Sequence, residues 1–307
     1  VNLPARDLYE LIARQKNITR GYLLFRKTFT LESIPAEKLL FQAGEIMNTD
    51  MVFVNGKSVG RTGIFPPFFR SGWAKFRNYP VPPEYLLQGE NRIEIITYFD
   101  AELWIISPLR LIDEERGSYD FMIKNLLQIE YIHAFSILLL SFSILFISIY
   151  LKRRKEVMYF YYAMTTLFLA DMMILQFVEN IYTYIPLSSN TIFKICAVGL
   201  IFVPPFMALF FRTFLGIIVT SRRRAMYLLI PVLCALCMVL SQERYYILFW
   251  RNLFLLLIPL YIADIVIVSI RQLVAGNRKG LMLFISLIPI FIFGIYDILV
   301  FALYAVE

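Results

Sequence analysis

From Tyr131 to Leu151 the chain runs for 21 residues without Asp, Glu, Lys or Arg, then stops at Lys152, Arg153, Arg154 and Lys155. As an α-helix rising about 1.5 Å per residue, such a run crosses roughly 30 Å of hydrocarbon. It predicts a membrane-spanning helix. Lys and Arg collect on the cytoplasmic side of inserted helices, so the basic cluster puts Leu151 inside and everything before Tyr131 outside. The chain thereby divides into an external half and a membrane half.

Composition agrees with that division. Of 307 residues, 59% are apolar and 16% aromatic, more than an ordinary pair of soluble domains carries. The net charge of +7 raises nucleic acid as a partner to be weighed. However, many of the Lys and Arg residues sit in short loops between apolar spans, where membrane topology accounts for them; nucleic acid is not an expected partner. All three cysteines, Cys196, Cys234 and Cys237, fall in apolar spans, so the external half has no disulfide framework. The Cys234-x-x-Cys237 spacing lacks the polar surroundings that thiolate chemistry needs and reads as packing. The chain opens on Val1, and an external domain needs an export signal; that signal is expected to precede these residues or to have been removed.

In the external half, Gly21 to Leu31 and Lys38 to Gly44 are short, branched or aromatic runs bounded by turn formers. Met51–Val54 and Lys57–Val59 flank Asn55-Gly56, the dipeptide that best accepts positive φ at both centres of a type I′ turn, and so predict a tight hairpin. A proline-rich passage with Pro66, Pro67, Pro80, Pro82 and Pro83 follows. Two more strands are expected at Arg92–Phe99 and Trp104–Ile112. Short strands at this spacing predict an all-β sandwich over residues 1–115. A connector over 116–130, helical from Asp120 to Glu130, leads into the first span.

Three stretches carry a resemblance: Tyr22 through Arg26-Lys-Thr-Phe-Thr-Leu31, Val52-Phe-Val-Asn-Gly-Lys-Ser-Val-Gly60, and Gly89-Glu-Asn-Arg-Ile-Glu-Ile95. Over residues 3–112 they are similar to the jelly-roll sugar-binding domain at the front of family 2 glycoside hydrolases. The resemblance implies a jelly-roll fold with a carbohydrate-like small molecule as ligand. In those hydrolases catalysis resides in a separate barrel, for which this chain has no room. Glycoside hydrolysis needs two carboxylates across a cleft, and nothing in the sequence pairs Glu94 or Glu102. No catalytic residue, metal site or cofactor is expected, and the chain is read as a binding protein rather than an enzyme. A flat aromatic with planar hydrogen-bond donors suits a sugar ring, which singles out Arg61, Arg70, Trp73 and Arg77 in the loop-rich part. Trp73 and the Phe68-Phe69 pair equally suit a plug at one end of the sandwich.

In the membrane half (131–307), spans are expected near 131–151, 157–178, 191–211, 225–240, 246–270 and 281–304. Threaded alternately, they place Lys152–Lys155, Arg212 with Arg222–Arg224, and Arg271 with Arg278-Lys279 on one side. The opposite loops hold only Arg244. Charges inside spans are costly and point to function. Asp171, Arg251 and Asp297 all fall in the outer half and form a candidate intramembrane charge cluster; Asp264 falls nearer the cytoplasm. Pro204-Pro205, Pro231, Pro259 and Pro289 interrupt four spans and predict kinks.

The external sandwich, the basic cluster after the first span and Phe210-Phe-Arg-Thr-Phe-Leu215 together resemble the bacterial seven-transmembrane receptors with diverse intracellular signalling modules. That resemblance implies a signal-transducing receptor of the bacterial cytoplasmic membrane with an external or periplasmic N-terminal domain. It also implies a seventh span and an output module, a kinase, cyclase or phosphatase fused downstream or acting in trans, beyond the six spans seen here. The bilayer, a small carbohydrate-like molecule and a second copy in a homodimer are the partners it implies. The rival reading is a transporter with an external capture domain, for which the expected internal repeat is not found.

Overall fold

The computed structural model of the chain describes residues 20–46, 48–72, 75–100, 105–106, 109–173, 187–283 and 285. It divides into two compact units. One comprises Val1–Leu138, Ala170–Ala197 and Gln242–Tyr246; the other comprises Leu139–Leu169, Val198–Ser241 and Ile247–Glu307.

Within the first unit lie two antiparallel sheets. The first has the order β1 (Arg20–Leu31), β6 (Gly89–Asp100), β3 (Thr49–Val54), β4 (Lys57–Thr62). The second centres on β2 (Leu39–Ile46), with β5 (Phe76–Val81) on one side and β7 (Ile105–Ile106) and β8 (Arg110–Asp113) on the other. Alternation fixes the faces: Leu23, Phe25, Phe29 and Leu31 of β1 point into the same core as Val52, Val54, Ile95 and Phe99, against Phe41, Tyr79 and Val81 of the second sheet.

The expected hairpin is present, with Asn55 at φ 50° and Gly56 at φ 79°. Its neighbours explain the three-part pattern of the sequence. The Asn55 amide donates to Tyr85 O and Asn91 Oδ1, both at 2.8 Å, and its oxygen accepts from Arg92 N at 2.8 Å. Asn91, 1% exposed, in turn donates to Leu87 O and Gly89 O. The Asn-Gly and Gly-Glu-Asn turns are therefore locks on one another.

Strand β5 departs from expectation, because it lies inside the proline-rich passage. Pro80 removes a donor, which an edge strand tolerates, and β5 is an edge of its sheet. The connector helix α1 (Glu114–Asn125) starts six residues before the expected Asp120. It covers the outer face of the second sheet: a Cβ on Gly117 would lie 2.8 Å from Leu40 Cδ1, and Gly117 O accepts from Gln42 Nε2 at 3.1 Å. Lys124 sits over the Phe76 ring, and Arg110 pairs with Asp120. A π-helical turn, Leu126–Glu130, then passes directly into α2 (Tyr131–Lys152).

The remaining described helices are α3 (Met158–Met172), α4 (Ser189–Phe214), α5 (Ser221–Leu240), α6 (Arg244–Leu255) and α7 (Ile258–Val274). Four segments among the described residues are long and apolar enough to cross a membrane: Tyr131–Lys152, Asn190–Phe214, Ser221–Leu240 and Arg244–Val274. The expected fifth span, 246–270, is two helices rather than one. Pro259 falls in the first turn of α7, where its missing N–H costs nothing and its ring ends the preceding helix. By contrast, Pro204-Pro205 and Pro231 remain inside continuous helices. The sixth expected span, with Pro289, lies almost wholly outside the described residues.

In the second unit, α3 and α4 join through aromatic rings. Phe168 stacks on Phe202 and Phe206 at 5.0 and 5.5 Å, and Ser143 of α2 donates to Ala163 O at 3.0 Å.

Candidate functional site

The outer face of the first sheet carries Tyr22 and Leu24, 58% and 53% exposed. Tyr22 and Tyr98 stand opposite one another across the β1–β6 ladder, with ring centroids 5.2 Å apart. Onto them folds a loop closed by reciprocal bonds between Ile64 and Arg70, each N–H donating to the other's carbonyl at 2.9 Å. Phe65 stacks on Tyr22 at 6.0 Å and 13°, and Phe69 meets Tyr98 edge-on at 5.0 Å. Phe68 lies 78% exposed at the tip, so it plugs nothing. Tyr22 itself is 58% exposed. The result is an aromatic platform on a sheet, edged by a loop.

Two glycines make the loop possible. Gly63 has φ 75°, and a Cβ there would stand 2.6 Å from Arg70 O. At the far end, Gly72 N donates to Asn48 O at 2.9 Å.

Of the four residues proposed from the sequence, Arg61 reaches this face. It pairs with Met51, which pairs with Ile96, so all three share the side of the sheet that carries Tyr98. Arg61 is exposed. Arg70 closes the loop through its backbone. Trp73 lies outside the described residues.

Arg77 is placed differently, at 1% exposure between the sheets. Its Nε donates to Asp50 Oδ1 at 2.9 Å, Nη2 donates to Asn48 O at 3.2 Å, and Nη1 donates to Lys75 O. Tyr79 donates its hydroxyl proton to Asp50 Oδ2 at 2.5 Å; with that proton committed, Thr62 is the donor in the 2.6 Å contact with the Tyr79 oxygen. Burial, and then the Asp50 charge, push the Tyr79 phenol well above its ordinary range. Arg77 thus positions the loop from beneath: Asn48 O, which it holds, is the anchor of Gly72.

Of the intramembrane residues, Asp171 lies near the end of α3 and Arg251 on α6, where its guanidinium donates to Asn252 Oδ1 at 2.9 and 3.1 Å. Asp297 lies outside the described residues. A cluster the sequence did not reveal joins three other helices. Arg212 of α4 donates from Nε and Nη2 to the two oxygens of Asp264 on α7, and Tyr227 of α5 donates to Asp264 Oδ2 at 2.5 Å. Tyr261 adds a bond to Tyr227 O at 2.9 Å. In the sequence Arg212 groups with the loop cations, and its distance along the chain from Asp264 hides the pairing.

No protein-family model matches the chain, and no curated protein matches it. Among solved structures it is similar to the β-D-mannosidase from Dictyoglomus thermophilum, at 18% identity and a TM-score of 0.19. The match covers 26% of this chain and 9% of that one, and at such a score it carries no argument about fold or activity.

Proposed function

We propose that the chain is a signal-transducing membrane receptor of the bacterial cytoplasmic membrane. In this reading its jelly-roll N-terminal domain is external and takes a small carbohydrate-like ligand, and its helices pass the signal to a cytoplasmic output module. The observation that carries the proposal is the aromatic cluster of Tyr22, Phe65, Phe69 and Tyr98, in which Tyr22 is exposed and the others half-buried, with Arg61 on the same face. Exposed flat rings stack on the apolar faces of sugar rings, and a guanidinium offers paired donors to hydroxyls. Four apolar segments supply the membrane part.

The test uses the full chain in lipid nanodiscs, melted against a panel of mono- and oligosaccharides. A ligand at 100 times its Kd stabilises by about 2.7 kcal/mol. Tyr22→Ala and Arg61→Gln are expected to abolish the shift while leaving the unliganded melting point within roughly 3 °C, as befits exposed positions. A panel-wide absence of any shift, or a shift that survives Tyr22→Ala, overturns the assignment.

A further inference from the structure

At the end of the bundle where the Lys and Arg residues gather lies a cavity of about 350 Å³. Its walls are the α2–α3 loop, the α4–α5 loop and the first turn of α5. Two cations line it, Lys155 and Arg224. Arg224 is held by the hydroxyl of Tyr161, a side chain only 2% exposed. The one carboxylate in the lining, Glu156, is already paired with Arg153 at 3.4 Å, so the cavity keeps a net positive charge. Lys152, Arg153 and Arg154 on one side and Arg222 and Arg223 on the other add to its field.

Apart from Thr213, the rest of the wall is largely apolar. Val157, Met158, Ile217 and Val219 line it, and Ile218 beside them is 84% exposed. An isoleucine that open, in a loop joining two membrane-spanning helices, finds its apolar surroundings in the bilayer rather than in the protein. A cationic recess with an apolar lip, set where spans end, matches a molecule that has a phosphate at one end and hydrocarbon at the other.

We infer that this cavity binds the phosphate of an anionic phospholipid, with Lys155 and Arg224 as its counter-charges and Ile217–Val219 against the acyl chains. A free phosphate or phosphoester shares the head-group chemistry but makes no use of the apolar lip.

The experiment titrates the delipidated full chain with phosphatidylglycerol, phosphatidylcholine and inorganic phosphate, and counts bound species by native mass spectrometry. Phosphatidylglycerol is expected to be retained at one site, in preference to phosphatidylcholine and without competition from inorganic phosphate. Lys155→Gln with Arg224→Gln is expected to bind phosphatidylglycerol roughly tenfold more weakly than Arg278→Gln with Lys279→Gln, which removes the same charge outside the cavity. Melting of both double variants confirms that each is folded; if the Arg224 pair is not, Lys155→Gln alone with Ile218→Ser takes its place. Equal weakening by the two double variants reduces the effect to diffuse surface charge and overturns the site. Inorganic phosphate that competes at equal affinity overturns the lipid as occupant.

Discussion

Arg77→Met separates a residue that holds the sandwich together from one that touches a ligand. The wild-type guanidinium and the Asp50 carboxylate are both at 0% side-chain exposure, joined at 2.9 Å. Removing one partner of a buried pair costs about 3–5 kcal/mol, because the remaining charge stays desolvated. Tyr79 alone cannot neutralise Asp50, and in the same change the Lys75 carbonyl loses the Arg77 donor and the Asn48 carbonyl keeps only Gly72 N–H of its two. Against a total domain stability of about 5–15 kcal/mol, this is a large share. A domain of this size shifts about 4–8 °C per kcal/mol, so the melting point should fall by at least roughly 12 °C. Asp50→Leu added to Arg77→Met removes the stranded charge and should return about half the loss: the Tyr79 hydroxyl turns to Thr62 Oγ1, while the Lys75 carbonyl still lacks the Arg77 donor at about 1–3 kcal/mol. Hydrogen exchange followed through the melt, read on peptides from β2, β3 and β6, isolates this domain from the helices. A melting point within roughly 3 °C of wild type would refute the core assignment and return Arg77 to the ligand side.

Two further outcomes follow from the buried tyrosines. Because the Tyr79 phenol is raised above its ordinary value of 10.0 in the fold, its neutral form contributes stability that is complete below that value and is lost as pH climbs toward the folded one; Tyr79→Phe should therefore narrow the difference in melting point between about pH 8 and about pH 11. In the bundle, Asp264→Asn and Arg212→Gln should each destabilise, and the double variant should lose less than the sum by about 0.5–3 kcal/mol; strictly additive losses would show the pair to be uncoupled.

Local chemistry decides which of these features the sequence displays. Asn55-Gly56 announces its hairpin because positive φ at two successive residues is a requirement that few other pairs meet. The sheet at 76–81 stays hidden because Pro80 marks a break, and only the pairing with β2 shows that the strand lies at an edge. The platform is hidden for a related reason: Tyr22 and Tyr98 are 76 residues apart, and their meeting depends on the β1–β6 register. A partial signal existed in the alternation of β1, where Tyr22 and Leu24 put apolar side chains on the face opposite Leu23 and Phe25. Arg77 was misplaced by the same proline-rich surroundings that concealed its strand. Four of the six expected spans, in contrast, are legible from length and apolar composition alone, and what the sequence does not supply there is the pairing of Arg212 with Asp264.

Among the described residues each unit holds an Arg–Asp pair completed by a tyrosine hydroxyl, and the difference in their exposure separates their roles. Asp50 and Arg77 are at 0% and 0%, locked between two sheets that must part before water can reach them. Opening that pair is therefore equivalent to unfolding the domain, and it acts as a fixed support under the aromatic loop. Arg212 and Asp264 are at 12% and 27%, so neither is sealed within packing. Their separation disrupts less packing, since each side chain already has an open side. The three helices they join, α4, α5 and α7, are tied at this point by charge and hydrogen bonds as well as by apolar packing. A tie that can open without unfolding its surroundings is the kind of two-state contact on which a helix movement can act. The counterpart in the β domain has no such freedom, so on the receptor reading proposed above a ligand-driven change is expected to leave Asp50–Arg77 intact and to act at Arg212–Asp264.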